Sequence, residues 1–401
     1  MLFGSGAVGA GLRIRRCLRG SGGAATHRRY ALRVALTLAA ALGVAACGHS
    51  PAKSASSAGP AWVVDSVPVT DIAGTMPSGD VAFLSVVGAV RLSNGEIVIA
   101  DPYDSKVRFF DAAGQQIHVY GRAGKGPGEL GRVRWIGRCG GDTVYTWDDQ
   151  FHLTVVDSSG VLVRQVPLPA ESTGGTLPAL LACNSESTLA FLDPDYSTMP
   201  ASVRSEAFGK GAVGVMDQHG RGARILDTVP AAQMRPFARF AQLAVSTDRF
   251  FLGPEDSARV LWYALEGQTR GSVPLGGVGR PVTNREYEAA IQQQVAVIPN
   301  AQQRETAMKQ MLRIPKPETL APYFALFAVG HDTLWAQISA PGDSVTVLDA
   351  VGPDGKPAGE ARIPRELRVL DMGRDYILGE YDAPDGDEHV ALYRMHPPAT
   401  R

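Results

Sequence analysis

The sequence predicts an all-β protein: a six-bladed β-propeller closed by an N-terminal strand, with a short two-helix insertion between blades four and five. Three observations predict it. Residues 94–130, NGEIVIADPYDSKVRFFDAAGQQIHVYGRAGKGPGEL, place β-rich runs at 97–100, 106–111 and 116–120, separated by the turn-forming stretches DPYDS and AAGQ. The same grammar restarts at 141–166, GDTVYTWDDQFHLTVVDSSGVLVRQV, and a unit of roughly 40 residues that cannot bury its own faces has to stack on copies of itself. Composition agrees: 45 glycines and 27 prolines supply turns for many short strands, while 45% hydrophobic and 20% charged residues suit a large core.

The first 46 residues are a different material. They hold seven arginines (Arg13, Arg15, Arg16, Arg19, Arg28, Arg29, Arg33) and no Lys, Asp or Glu, followed by the apolar run VALTLAAALGVAA at 34–46. That run is short for a bilayer span and has the length of a signal h-region. It ends in Val44-Ala45-Ala46-Cys47-Gly48, which resembles a bacterial lipobox. The expectation is a lipoprotein signal peptide over 1–46, cleaved before a lipidated Cys47, and then a flexible tether over 47–60. A signal-anchor helix with an incidental cysteine is the alternative. Arg28-Arg29 loosely resembles a twin-arginine export signal, which leaves the export route open.

Cleavage would change the charge. The precursor carries 39 basic and 40 acidic residues; losing seven arginines leaves 32 against 40, a net charge near −8. This argues against a nucleic-acid partner, which needs clustered positive charge. Several acyl chains on Cys47 would attach the protein stably to a bacterial membrane, facing the periplasm or the cell surface. The mature partner is then an envelope protein or a small ligand.

The propeller is expected over 61–398. Residues 62–70, WVVDSVPVT, form a β-run with no hairpin neighbour. Full units follow at 86–120, 133–166, 180–229, 240–273 and 324–363, and residues 368–395 supply a last unit of three strands. An orphan strand at one end and a unit one strand short at the other fit ring closure, in which one terminus completes the blade begun by the other. The β pattern breaks at 282–314. There Thr283 and Glu286 make a capping box, Tyr287, Ile291 and Val295 recur at helical spacing, Pro299 stops the helix, and Asn300 starts another bearing Met308 and Met311. These helices either cap a groove between blades or act as a lid or docking element.

At these residues a resemblance can be named. The run from Ile97 to Leu130 resembles the NHL-type repeat and, more closely, bacterial six-bladed β-propeller lipoproteins with a GxGPGE-like turn between early blades, here Gly124 to Glu129. Residues 315–337, PKPETLAPYFALFAVGHDTLWAQ, resemble another recurring stretch of that group. Lys106 and Val107 depart from the arginine-led pair of the NHL pattern. The resemblance implies the fold; most members of the group lack an assigned activity.

Of the four cysteines, Cys17 falls in the leader and Cys47 at the lipidation site. Cys139 and Cys183 occupy matching places at the ends of the first strands of neighbouring units, so in an oxidising compartment they are expected to form a disulfide. The alternative is two buried thiols too far apart to bridge.

Enzymatic motifs are mostly missing. Gly4-x-Gly6-x-x-Gly9 lies in the leader with no strand before it, and the glycine-rich turn at 121–128 lacks a Gly-Lys-Ser/Thr ending and a following helix. The histidines are scattered without metal-ligand spacing. What remains is the loop face. Asp101, Tyr103, Trp147, Asp148, Asp149, Asp193, Asp195, Glu255, Asp256, Asp343, Asp382 and Asp385 fall where second strands pass to third strands, with Arg122, Lys125 and Glu129 beside them. Such a ring of carboxylates would make a negative, partly aromatic mouth able to hold Ca2+ through oxygen ligands or to attract a small ligand. The plainer reading is that Asp is a turn residue. Two functions follow as expectations: a binding or scaffold module acting at the ring face, or a metal-dependent, lactonase-like hydrolase or lyase with an acidic central site.

Overall fold

A computed structural model describes residues 59–75, 83–168, 180–184, 189–195, 210–230, 237, 241–253, 258–265, 270–275, 279–296, 298–331, 333–338 and 345–398. The leader, Cys47 and the tether up to residue 58 lie outside them, as do Glu255, Asp256 and Asp343. The chain is a β-propeller with two helices. Two short strands come first, β1 (Val63–Val64) and β2 (Thr70–Ala73). Five four-stranded antiparallel blades follow, each with strands paired in chain order. The first is β3 (Gly88–Arg91), β4 (Ile97–Asp101), β5 (Lys106–Phe110) and β6 (Gln116–Tyr120). The second is β7 (Val133–Cys139), β8 (Thr143–Asp148), β9 (His152–Val156) and β10 (Leu162–Pro167). The third is β11 (Leu180–Cys183), β12 (Leu189–Asp195), β13 (Lys210–Met216) and β14 (Arg224–Pro230). The fourth is β15 (Gln242–Val245), β16 (Arg249–Gly253), β17 (Arg259–Ala264) and β18 (Arg270–Pro274). After helices α1 (Asn284–Ala296) and α2 (Ala301–Met311) comes the fifth, β19 (Ala325–Val329), β20 (Thr333–Gln337), β21 (Val345–Val351) and β22 (Pro357–Pro364).

The expectation of six blades, the last made of three strands and completed by one N-terminal strand, is corrected here: five blades are four-stranded. The sheet of β23 (Arg368–Met372), β24 (Tyr376–Asp382) and β25 (Glu388–His396) has five strands, because β1 and β2 both pair with β25. The single N-terminal strand expected over 62–70 is therefore two. Val63 and Val64 face His396 and Met395, and Thr70 to Ala73 face Leu392 to His389, so five residues, 65–69, stand opposite only two of β25. The Asp65 and Val69 N–H groups still donate to the Arg394 and Leu392 carbonyls at 3.0 and 2.7 Å, and residues 66–68 form the bulge. Pro68 sits in that bulge, where a residue without an N–H cannot extend a ladder. The chain also reaches the fifth blade before β1: Trp62 N–H donates to the Glu360 carbonyl at 2.8 Å, and Glu360 N–H donates to the Pro60 carbonyl at 3.1 Å.

The core lies between sheets, not within any one of them, which is why no unit could fold alone. Val98, Ala100, Val107 and Phe109 of the first blade pack on Val133, Ile136, Val144 and Val156 of the second. Ile97 and Ile99, on the opposite side of β4, pack on Leu378 and Val390 of the five-stranded sheet. A second strand sandwiched this way has no polar face, and all of IVIAD in β4 is buried. The outermost β6 is largely exposed.

A five-residue turn recurs between third and fourth strands. Asp111, Asp157 and Asp217 each use Oδ1 to accept the N–H groups two and four residues on, at 2.8–2.9 Å. Gly114, Gly160 and Gly220 close these turns at φ 82°, 78° and 69°, a region that glycine enters without steric cost. The α1 capping box forms as expected: Glu286 N–H donates to Thr283 Oγ1 at 3.2 Å, Thr283 N–H donates to the Glu286 carboxylate at 3.0 Å, and Tyr287, Ile291 and Val295 are buried. In α2 no residue is fully buried, and Ala307, Met308 and Met311 rest partly covered on the α1 cluster.

Candidate functional site: the loop face of the first two blades

The loops after β4 and β8, and the connection from β6 to β7, leave the same ends of the strands and meet in one surface. Hydrogen bonds join them: Gln150 Nε2 donates to the Gly124 carbonyl at 2.8 Å, and Gln165 Nε2 to the Glu129 carbonyl at 2.8 Å. The glycine-rich turn is thus built into the blades. At Gly121 (φ 96°) an added Cβ would meet the Ser105 carbonyl at 2.8 Å and the Leu130 side chain at 2.6 Å, so the close approach requires glycine.

Two of the carboxylates expected to face a ligand, Asp101 and Asp148, turn inward instead, while Asp149 stays exposed. Asp101 is fully buried at the end of β4; its Oδ2 accepts Leu84 N–H at 2.7 Å and its Oδ1 accepts Tyr103 N–H at 2.8 Å. Asp148 repeats this in the second blade. Its Oδ2 accepts Gly131 N–H at 2.9 Å, and its Oδ1 accepts Gln150 and His152 N–H at 3.0 Å each. In both blades the residue just before the third strand, Ser105 (φ 56°) or Phe151 (φ 65°), is in the left-handed region, and in the second blade the Asp148 bonds to Gln150 and His152 bracket it. Glu129 Oε2 accepts Gly126 N–H at 2.7 Å and its Oε1 accepts Arg122 Nε at 3.0 Å. The Gly126 N–H first, and then Arg122, hold the Glu129 carboxyl below the usual carboxylate range. Asp149 Oδ1 accepts Arg132 N–H at 2.8 Å, and its Oδ2 lies 3.8 Å from Arg134.

The outward side is different. Tyr103 is 64% exposed, with the Arg132 guanidinium 4.9 Å from its ring centroid. Arg122 and Lys125 are exposed on the turn beside it. Trp147, expected at the mouth, is buried between the second and third blades and contacts Phe151 at 6.0 Å between ring centroids. Asp193 and Asp195 do not lie in a loop: they belong to β12, opposite Ala212 and Lys210 of β13, and their side chains are outside the described residues. Asp382 ends β24, exposed and opposite Glu388. Asp385 Oδ1 accepts Asp387 N–H at 3.1 Å in the next turn. Among the described residues no three His, Cys, Asp or Glu side chains come together to hold a metal ion.

The expected disulfide is formed. Cys139 and Cys183, Cα atoms 5.5 Å apart, join the ends of β7 and β11 behind the loop face. Sequence reasoning found the glycine-rich turn, Tyr103 and Arg122, but missed Arg132 as the partner of Tyr103. The signal available was an arginine two residues before Arg134 in the connection leading to β7.

No known family's sequence pattern matches the chain, and no curated protein matches it. Solved structures do. A Bacteroides fragilis protein described as exported superposes with a TM-score of 0.45 at 11% identity, over 86% of this chain and 96% of its own. A catalytically inactive virginiamycin B lyase from Staphylococcus aureus with quinupristin gives 0.39 at 11%, over 77% and 79%. A luciferin-regenerating enzyme gives 0.42 at 9%, over 78% and 91%. Likeness at this level carries no argument about function, and the fold assignment rests on the sheet topology above. Among the described residues no helix is long and apolar enough to cross a membrane.

Proposed function

We propose that this chain is an exported, lipid-anchored β-propeller whose five-stranded sheet serves as the sixth blade. It works as a binding scaffold that presents the loop face of its first two blades to an acidic protein surface in the cell envelope. One observation carries this reading. Asp101 and Asp148 spend their oxygens on backbone N–H groups and Glu129 divides its own between the Gly126 N–H and Arg122, which leaves an outward display dominated by Tyr103, Arg132, Lys125 and the Glu129-paired Arg122, with Asp149 as its exposed carboxylate. Loops fixed before binding lose little conformational freedom on binding, and a Tyr–Arg pair belongs to the residue types that anchor interfaces. The arginine-rich leader ending at Cys47 supports the anchor, and the Cys139–Cys183 bridge suits an oxidising compartment.

Thermal unfolding of the full chain in EDTA, then with added Ca2+ or Zn2+, tests this against the metal-dependent hydrolase reading. A ligand that binds only the native state raises the melting temperature. The scaffold reading expects the same melting temperature in all three conditions. A metal-dependent rise that disappears in Asp149→Ala would transfer the assignment to a metal site.

A further inference from the structure

At the opposite ends of the strands, where the N-terminal strand meets the first blade, a cleft of about 500 Å³ opens. Val69, Leu392 and Met395 give it an apolar floor, Gly95 and Ala112 in two turns of the first blade form its rim, and Asp375, Arg394 and His396 also line it. Arg91 enters from the end of β3. Its Nε is buried and makes no hydrogen bond, and its guanidinium carbon lies 4.8 Å from the centroid of the Tyr376 ring.

The surroundings fix this arginine without neutralising it. Asp371, the neighbouring carboxylate, is committed elsewhere: Oδ2 accepts Arg91 N–H at 2.9 Å and the Tyr376 hydroxyl at 2.8 Å, and Oδ1 accepts Met372 N–H at 2.9 Å. Tyr376 is thereby locked beneath the guanidinium. Across the cleft, Thr70 Oγ1 donates to the Ala112 carbonyl at 2.7 Å, pinning the N-terminal strand to the rim. A buried guanidinium N–H without an acceptor is costly, and a carboxylate is the group that best matches its fork.

We infer that this cleft is a second binding site, for a small molecule with one carboxylate and an apolar body. The carboxylate pairs with Arg91, and the body lies along Leu392 and Met395. The volume is in the range of small-molecule sites, and a partly apolar wall with a few convergent polar groups is their usual chemistry. The site is independent of the loop face. Because its walls come from both chain ends and from the first blade, occupancy would also favour the closed ring.

Benzoate titrated into the full chain, followed by melting temperature and by calorimetry, is the test. The inference expects saturable binding with a Kd of about 1 mM or tighter and a rise in melting temperature. Benzamide, the same body without the charge, and inorganic phosphate, a charge without the body, should each bind at least roughly tenfold more weakly. Arg91→Gln should abolish benzoate binding. Since Arg91 also packs on Tyr376, a second variant guards against misfolding: Ala112→Trp, at an exposed rim position, should block the cleft while the protein melts as wild type. Absence of saturable benzoate binding, equal binding of benzamide, or unchanged benzoate affinity in Ala112→Trp would each overturn the site.

Discussion

Replacing Asp148 by alanine tests the commitment of a loop-face carboxylate to the backbone. The side chain is 1% exposed and accepts three backbone N–H groups, from Gly131 at 2.9 Å and from Gln150 and His152 at 3.0 Å. Each hydrogen bond to a charged group contributes about 1.5–3 kcal/mol, but the three share one carboxylate and do not add in full. Removing it strands buried donors in the second blade and releases the left-handed backbone at Phe151. A loss of about 3–5 kcal/mol is expected, readable as a lower denaturation midpoint in guanidinium. Asp148→Asn keeps one acceptor but turns an NH2 toward a donor, so it should cost about half as much. Asp382→Ala, exposed at a strand end, should change stability by no more than about 0.5 kcal/mol. A metal site would behave in the opposite sense: deleting one of several clustered carboxylates relieves repulsion, and the metal-free protein gains stability. An Asp148→Ala variant as stable as wild type, or more so, would refute the reasoning.

Other perturbations have equally definite outcomes. Cys139→Ser should destabilise the protein by about 4 kcal/mol, the chain-entropy value for the 44-residue separation, and mild reductant should lower the wild-type melting temperature. Trp62→Ala removes a ring packed edge-on against Trp335 at 5.5 Å between centroids; a loss of about 2–3 kcal/mol is expected, with faster proteolysis near the N-terminal strand. Burial first, and then the charge of Glu360 on the paired strand, push the Asp349 carboxyl up to about 6, against a smaller opposing effect of Arg362. A raised acid binds its proton more tightly in the folded state. Its contribution is therefore fully present below the unfolded value of 3.8 and is lost as pH rises to about 6. Discounted for solvent screening, Asp349→Asn should gain about 1–2 kcal/mol at pH 7 and nothing near pH 3, measured as midpoints across that range.

Much of the fold could be read from the sequence because the second strands of the units, such as IVIAD in the first blade, are covered on both sides and so appear as unbroken apolar runs. The capping box at Thr283 and Glu286 and the matched cysteines were legible for a similar reason: each is a fixed spacing with a single physical meaning. The split N-terminal strand was not. Its apolar residues run on past Pro68, and only pairing with β25 reveals that residues 66–68 leave the ladder. The loop face was half legible. An aspartate at a turn looks the same in sequence whether it points at solvent or at the N–H two residues on. In sequence Asp101 and Asp148 are therefore indistinguishable from Asp382, although the first two are buried and the last is exposed. The Tyr103–Arg132 pair joins a loop to a connection 29 residues further along the chain, a distance no local pattern spans.

Site-specific photocrosslinking in the cells that make the protein tests the proposed binding face most directly. A photoreactive residue would replace Tyr103 or Lys125 on that face and Ala113 on the opposite turns, all three exposed. The account predicts one discrete adduct of the same partner at 103 and 125, none at 113, and loss of the adduct at 103 when Arg122→Glu reverses the neighbouring charge. Equal labelling at 113, or no adduct at either face position, would contradict it.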